Sequence, residues 1–118
     1  MPLCSIQVKT VVNQSINNGQ SATFDLDVSG WSNLTVYFQL QNTTTTADGT
    51  QIARIFAPDG TVAPINLPNI RIVNFTSDGT HINSFAQYDV RGISKLRVGI
   101  TNNNVAAKTA VVNVYLGA

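Results

Sequence analysis

Apolar and polar residues alternate along much of this chain. Ala22, Phe24, Leu26 and Val28 fall on one phase, with Thr23, Asp25 and Asp27 between them. Leu34, Val36, Phe38 and Leu40 interleave with Thr35, Tyr37 and Gln39. Leu96, Val98 and Ile100 alternate with Lys95, Arg97 and Gly99, and Ala110, Val112, Val114 and Leu116 with Val111, Asn113 and Tyr115. Successive side chains of a strand point to opposite faces, so period two predicts four strands with one buried face each. Weaker forms of the pattern predict strands at Ile6–Val12, Gln51–Phe56, Thr61–Ile65, Ile70–Thr76 and Ile82–Val90. No ten-residue stretch carries a helical period.

Turn residues separate the runs. Asp-Gly-Thr occurs at Asp48–Thr50, Asp59–Thr61 and Asp78–Thr80. Gly tolerates positive φ there, while the Asp side chain bonds nearby backbone. Asn17-Asn18-Gly19 and Thr101–Asn104 read as turns in the same way, and Asn42–Ala47 reads as a loop. Eight or nine short strands in 118 residues predict an all-β fold. The expected architecture is a single-domain antiparallel β-sandwich, a jelly roll, over residues 6–118. Residues 1–5 precede the pattern and are expected to form an N-terminal arm.

The chain echoes itself once. Asp27-Val28-Ser29-Gly30-Trp31-Ser32-Asn33-Leu34-Thr35-Val36 aligns with Asp89-Val90-Arg91-Gly92-Ile93-Ser94-Lys95-Leu96-Arg97-Val98. Two readings fit. Similar β-turns select similar residues, or the two segments occupy related places in the two sheets.

Composition changes the picture in one respect. Charged residues make up 11% of the chain, against about 25% in ordinary soluble domains. There are six Asp and no Glu, and the formal net charge is +1. Such a balance gives no electrostatic attraction to nucleic acid or to an acidic membrane. Apolar runs are too short for a membrane-spanning helix. The segment Met1–Gln7 lacks the basic start and apolar stretch of a signal peptide. The expectation is therefore a mature form, or a protein that leaves its cell by lysis or by assembly inside it. An amide-rich surface needs little desolvation when it packs against a neighbour, which favours a subunit of an assembly.

Candidate chemistry is sparse. His81, the one histidine, follows an Asp-Gly-Thr turn with no nucleophile-elbow motif in the chain, so it is expected to be an exposed turn residue. Cys4, the one cysteine, excludes an internal disulfide. It is either an inert small residue or a link between chains. One cysteine and one histidine cannot build a zinc site. Asp25 and Asp27 share one strand face, about 7 Å apart, but turn formation accounts for most Asp residues and no EF-hand spacing is present. No paired acids suited to glycoside cleavage stand out. Trp31 and Tyr37 form a possible glycan platform, whereas Phe24, Phe38, Phe56, Phe75 and Phe85 are assigned to the core. The sequons at Asn13, Asn33, Asn42 and Asn74 carry no weight without a secretory signal. No catalytic, metal or cofactor site is expected, and the chain is not expected to be an enzyme.

The stretch Tyr88–Val98, followed by Asn102–Asn104 and the strand Val111–Leu116, resembles the C-terminal half of small β-sandwich proteins of phage virions and bacterial surface appendages. A short arm bearing Cys4 ahead of a jelly roll is also similar to spore-appendage subunits. In those proteins arm cysteines pair with cysteines in a neighbour's body, and this chain has no body cysteine. The resemblance implies a self-assembling structural subunit, with a capsid decoration (cement) or other accessory virion protein ahead of an appendage subunit. It implies copies of the chain and a major capsid or other structural protein as partners, in a virion or extracellular assembly. Pro2, Leu3 and Cys4 would then belong to an assembly arm. A carbohydrate-binding module using Trp31 and Tyr37 is the alternative.

Overall fold

The strands nest. The computed structural model describes residues 6–43, 52–56, 70–72 and 75–118, and every regular element in them is a β-strand. These are β1 (Ile6–Ile16), β2 (Ser21–Asp27), β3 (Asn33–Gln41), β4 (Ile52–Phe56), β5 (Ile70–Ile72), β6 (Thr76–Ser77), β7 (His81–Asp89), β8 (Lys95–Thr101) and β9 (Lys108–Gly117). β1 pairs with β9, β2 with β8, β3 with β7 and β4 with β5, all antiparallel. Successive pairs fall in alternate sheets, ordered β1-β9-β3-β7-β6 and β2-β8-β4-β5. A long antiparallel ribbon has thus rolled up on itself, which is the jelly-roll form of the β-sandwich.

The four strictly alternating segments are β2, β3, β8 and β9. The strand expected at Ile6–Val12 runs on to Ile16, and that expected at Ile70–Thr76 is two strands, β5 and β6. The strand expected at Thr61–Ile65, the Asp-Gly-Thr turns at 48–50 and 59–61, and the arm residues Pro2, Leu3 and Cys4 lie outside the described residues.

Leu34, Val36, Phe38 and Leu40 of β3 meet Leu96, Val98 and Ile100 of β8 in the interior, with Val112 and Val114 of β9. All are essentially inaccessible. Phe24 packs against the core from its rim, half-buried because β2 is an edge strand, with the Lys9 ammonium 5.4 Å from its ring centroid. One aromatic assignment needs correction. Phe85 is 60% exposed. In β7 the inward phase belongs to Ile82, Ser84, Ala86 and Tyr88, which leaves Phe85 on the outer face.

β1 changes face along its length. Thr10 stands opposite Asn113, but Val12 stands opposite Val112, so Val11 is an extra residue, a β-bulge. Before the bulge Ile6, Val8 and Thr10 share the outer face. After it Val12 and Ile16 are buried.

The sequence echo marks two corners at which the chain crosses between sheets. At the first, Trp31 N–H donates to the Val28 carbonyl at 3.1 Å and Gly30 has φ 79°. At the second, Ile93 N–H donates to the Val90 carbonyl at 3.0 Å and Gly92 has φ 80°. Both are type II turns, which require positive φ at their third residue. Asp27 accepts from Ser29 N–H, and Asp89 accepts from Arg91 N–H. The corners also bind each other: Val28 N–H donates to Ser94 O and Val90 N–H to Ser32 O, each at 2.9 Å. The second reading of the echo therefore holds, since the two segments are pseudo-symmetric partners in opposite sheets.

The other end is closed by Asn102. This side chain is fully buried. Its amide donates to the Ile16 and Ala106 carbonyls at 3.0 Å, and its oxygen accepts from Asn104 N–H at 2.8 Å. Asn102→Ala leaves the buried Ile16 carbonyl and Asn104 N–H, and the partly buried Ala106 carbonyl, without this partner. It is expected to lower stability by about 3 kcal/mol, read as a fall in the urea midpoint with an unchanged slope.

Candidate functional site

The outer face of the five-stranded sheet gathers the exposed apolar residues. Large hydrophobic side chains are exposed at Ile6, Val8, Tyr37, Phe85, Val105 and Tyr115. All but Val105 lie on this face. Its central strands put Tyr115, Thr35 and Gln87 in one cross-strand row, and Asn113, Tyr37 and Phe85 in the next. β1 adds Val8 beside Tyr115 and Thr10 beside Asn113. The result is a diagonal band running from Ile6 and Val8 through Tyr115 and Tyr37 to Phe85.

Ring contacts hold the band together. Tyr37 stacks on Phe85 with centroids 5.6 Å apart and planes 28° from parallel. Tyr115 meets Tyr37 edge-on at 5.4 Å and 74°. Such pairs are each worth roughly 0.5–1.5 kcal/mol beyond their buried area. That gain does not offset what exposure forgoes, since burying a Val, Ile or Phe side chain is worth about 1.5–3 kcal/mol. A contiguous exposed band of this kind marks a contact surface.

Amides and hydroxyls frame the band. Thr10 Oγ1 donates to Asn113 Oδ1 at 2.7 Å, Gln39 Nε2 to Asn83 Oδ1 at 3.0 Å, and Gln41 Nε2 to Gln39 Oε1 at 3.2 Å. Two depressions flank the tyrosines. One, of about 380 Å³, is lined by Ile6, Asn33, Thr35, Tyr37, Gln87 and Tyr115 among others. The second, of about 230 Å³, lies between Gln39, Asn83, Val111 and Asn113. Within the band no residue carries a formal charge. Asp89 stands at the rim, with its carboxylate bound by the Arg91 guanidinium at 2.6 Å.

The opposite outer face differs. On β2 and β8, Asp25 stands across from Arg97 and Asp27 from Lys95. Asp25 accepts from Arg97 Nε at 2.6 Å, and this hydrogen bond holds its carboxyl below the ordinary value. Asp27 is lowered by its hydrogen bonds to Ser29. Both acids are thus engaged by protein donors. Among the described residues no cluster of three His, Cys, Asp or Glu side chains is placed to hold a metal ion.

The structure does not join the two residues of the expected glycan platform. Tyr37 sits at the centre of the exposed band. Trp31 is half-buried against the core and lines a separate depression at the β1/β2 rim, with Lys9, Phe24 and Asp27. Tyr37 instead finds Tyr115 and Phe85. Both tyrosines stand on the polar phase of their strands, a signal readable in the sequence, but their adjacency needs the β3–β9 pairing. His81, expected to be exposed, is half-buried, and its Nδ1 accepts from Asn42 N–H at 3.1 Å.

No family model matches the chain, and no curated protein matches it. Among solved structures it is similar to a family GH115 4-O-methyl-α-glucuronidase described as specific for decorated arabinogalactans. The identity is 10% and the TM-score 0.49, and the match covers 91% of this chain and 16% of that one.

Carboxylates at the rims make the frame sensitive to acid. Asp78 accepts from Thr80 N–H, His81 N–H and the Asn83 amide, and these bonds hold it far below its ordinary 3.8. Asp89, bound by the Arg91 side chain and N–H, is lowered to about 2. A carboxyl lowered by folding stabilises the fold above its unfolded pKa, and that contribution disappears as pH falls through the folded value. The melting temperature is therefore expected to fall on acidification from pH about 4 towards 2. Asp78→Asn should make that decline shallower in a pH series of thermal melts.

Proposed function

We propose that this domain is a structural subunit that assembles with copies of itself or a partner structural protein, with the uncharged aromatic band as a contact surface. The carrying observation is that five exposed large hydrophobic residues lie on one sheet face while the charged pairs Asp25–Arg97 and Asp27/Lys95 lie on the other. A free monomer gains nothing from that segregation. A subunit gains a face that sheds water cheaply and a second face that stays solvated. The resemblance to phage decoration proteins and to appendage subunits supports the same class of role, in a virion or an extracellular assembly. No catalytic role is assigned.

A second reading has its own support. The larger depression combines two tyrosine rings with Asn33, Thr35 and Gln87 and no charged side chain. That chemistry suits a neutral sugar, with ring faces for C–H surfaces and amides for hydroxyls.

Light scattering after size exclusion separates these readings. Assembly predicts a mass above that of one chain, and the double substitution Tyr37→Ser with Phe85→Ser should shift it towards the monomer while the fold melts within a few degrees of the parent. A parent that stays monomeric at all accessible concentrations would remove assembly with copies of itself. For the sugar reading, titration with neutral oligosaccharides should show binding that Tyr115→Ala abolishes and Trp31→Ala preserves. Binding that survives Tyr115→Ala rejects the depression as the site.

A further inference from the structure

β1 is the long edge of the five-stranded sheet. It pairs with β9 on one side, and among the described residues no strand pairs with the other. Its first five residues, Ile6 to Thr10, are all exposed. A strand edge of this kind presents a row of backbone N–H and C=O groups that another strand can complete, and proteins ordinarily guard such edges. On β1 the guards are one lysine, Lys9, whose ammonium lies over Phe24 of its own chain, and a bulge that follows Thr10, while the other edges are short or carry two acids. β6 has two residues and β5 three. β2 carries Asp25 and Asp27, so an antiparallel copy would set like charges against each other.

We infer that two copies of the chain join antiparallel along β1, with the two-fold axis between Val8 and its copy, to form one continuous ten-stranded sheet. This rests on the assembly reading above and assigns it an interface.

The register follows from the strand itself. A two-fold between antiparallel neighbours in one sheet runs perpendicular to the sheet and passes midway between one residue and its own copy. Among the described residues β1 pairs regularly from Ile6 to Thr10, where the bulge interrupts the ladder. Exposure and charge place the axis at Val8. Val8 then faces its own copy, Ile6 faces Thr10, and Gln7 faces Lys9. Lys9 is the charged residue of this stretch. Centring on Val8 sets it opposite an amide, and its ammonium already lies over Phe24 of its own chain. Centring one residue later would oppose Lys9 with Lys9. Ile6 and Val8, at 68% and 59% exposure, meet their counterparts on the outer face. The two diagonal bands then merge across the seam.

The test uses the full chain. Lysine is a common edge guard, and Val8→Lys would oppose two ammonium groups at the axis. It is expected to raise the dimer dissociation constant roughly tenfold or more, with far-ultraviolet circular dichroism confirming an unchanged fold. In a Cys4→Ser background, Val8→Cys should form an intermolecular disulfide under mild oxidation. Directly opposed Cα atoms lie about 4.5–5.5 Å apart, within the span a disulfide tolerates. Gln7→Cys should cross-link far less, because its own copy is diagonal at about 7–8 Å. Assembly undiminished by Val8→Lys, or cross-linking no stronger at Val8→Cys than at Gln7→Cys, overturns this interface while the assembly reading stands. A monomeric parent chain overturns both this interface and assembly of the chain with itself.

Discussion

The structure depends on closing one apolar layer between two sheets that belong to a single rolled ribbon. Each crossing from one sheet to the other must turn sharply without stranding backbone groups in the interior. The two echoed corners meet that constraint as a pair. Gly30 and Gly92 supply the positive φ, while Val28 and Val90 are buried beside them. The reciprocal bonds from Val28 to Ser94 and from Val90 to Ser32 tie each corner's amide to the other corner's carbonyl. Neither corner is satisfied alone. At the far end Asn102 does comparable work with one side chain, pinning the β1 end and the β8–β9 loop together.

With the interior closed this way, the two outer faces are free to diverge. The face built from β2 and β8 pairs acids with bases and resembles an ordinary solvated surface. The face built from β1, β9, β3 and β7 keeps amides and hydroxyls around a hydrophobic diagonal. The low charge count of the sequence is thus unevenly distributed, with the neutral share concentrated where the aromatic residues are.

Period two made β2, β3, β8 and β9 legible, together with which residues of β3, β8 and β9 face inward. It also placed Tyr37 outward. The contact face was less legible, for physical reasons. Phe85 drew a core assignment because a large apolar ring outweighed its phase, although Ile82 and Val90 have the opposite parity and mark it as outward. Trp31 and Tyr37 are both aromatic residues near polar positions, but the turn sends Trp31 towards the rim and β3 carries Tyr37 into the middle of the sheet. Tyr115 joins Tyr37 through a pairing between distant parts of the chain, which local patterning cannot report. The extra residue in β1 leaves no mark in the alternation at all, since Ile6, Val8, Thr10 and Val12 read as one uninterrupted phase.

That extra residue has a consequence for how this surface could arise or vanish. Val11 acts as a frame shift in side-chain direction: everything before it is mirrored relative to everything after. Removing Val11 would keep Thr10 opposite Asn113 and Val8 opposite Tyr115, whereas straightening the bulge with Val11 retained would slip the register by one residue and turn Ile6 and Val8 towards the interior. The chemical character of this margin is therefore set by the bulge as much as by residue identity. A one-residue slip of this strand would exchange a greasy border for a polar one without a single substitution.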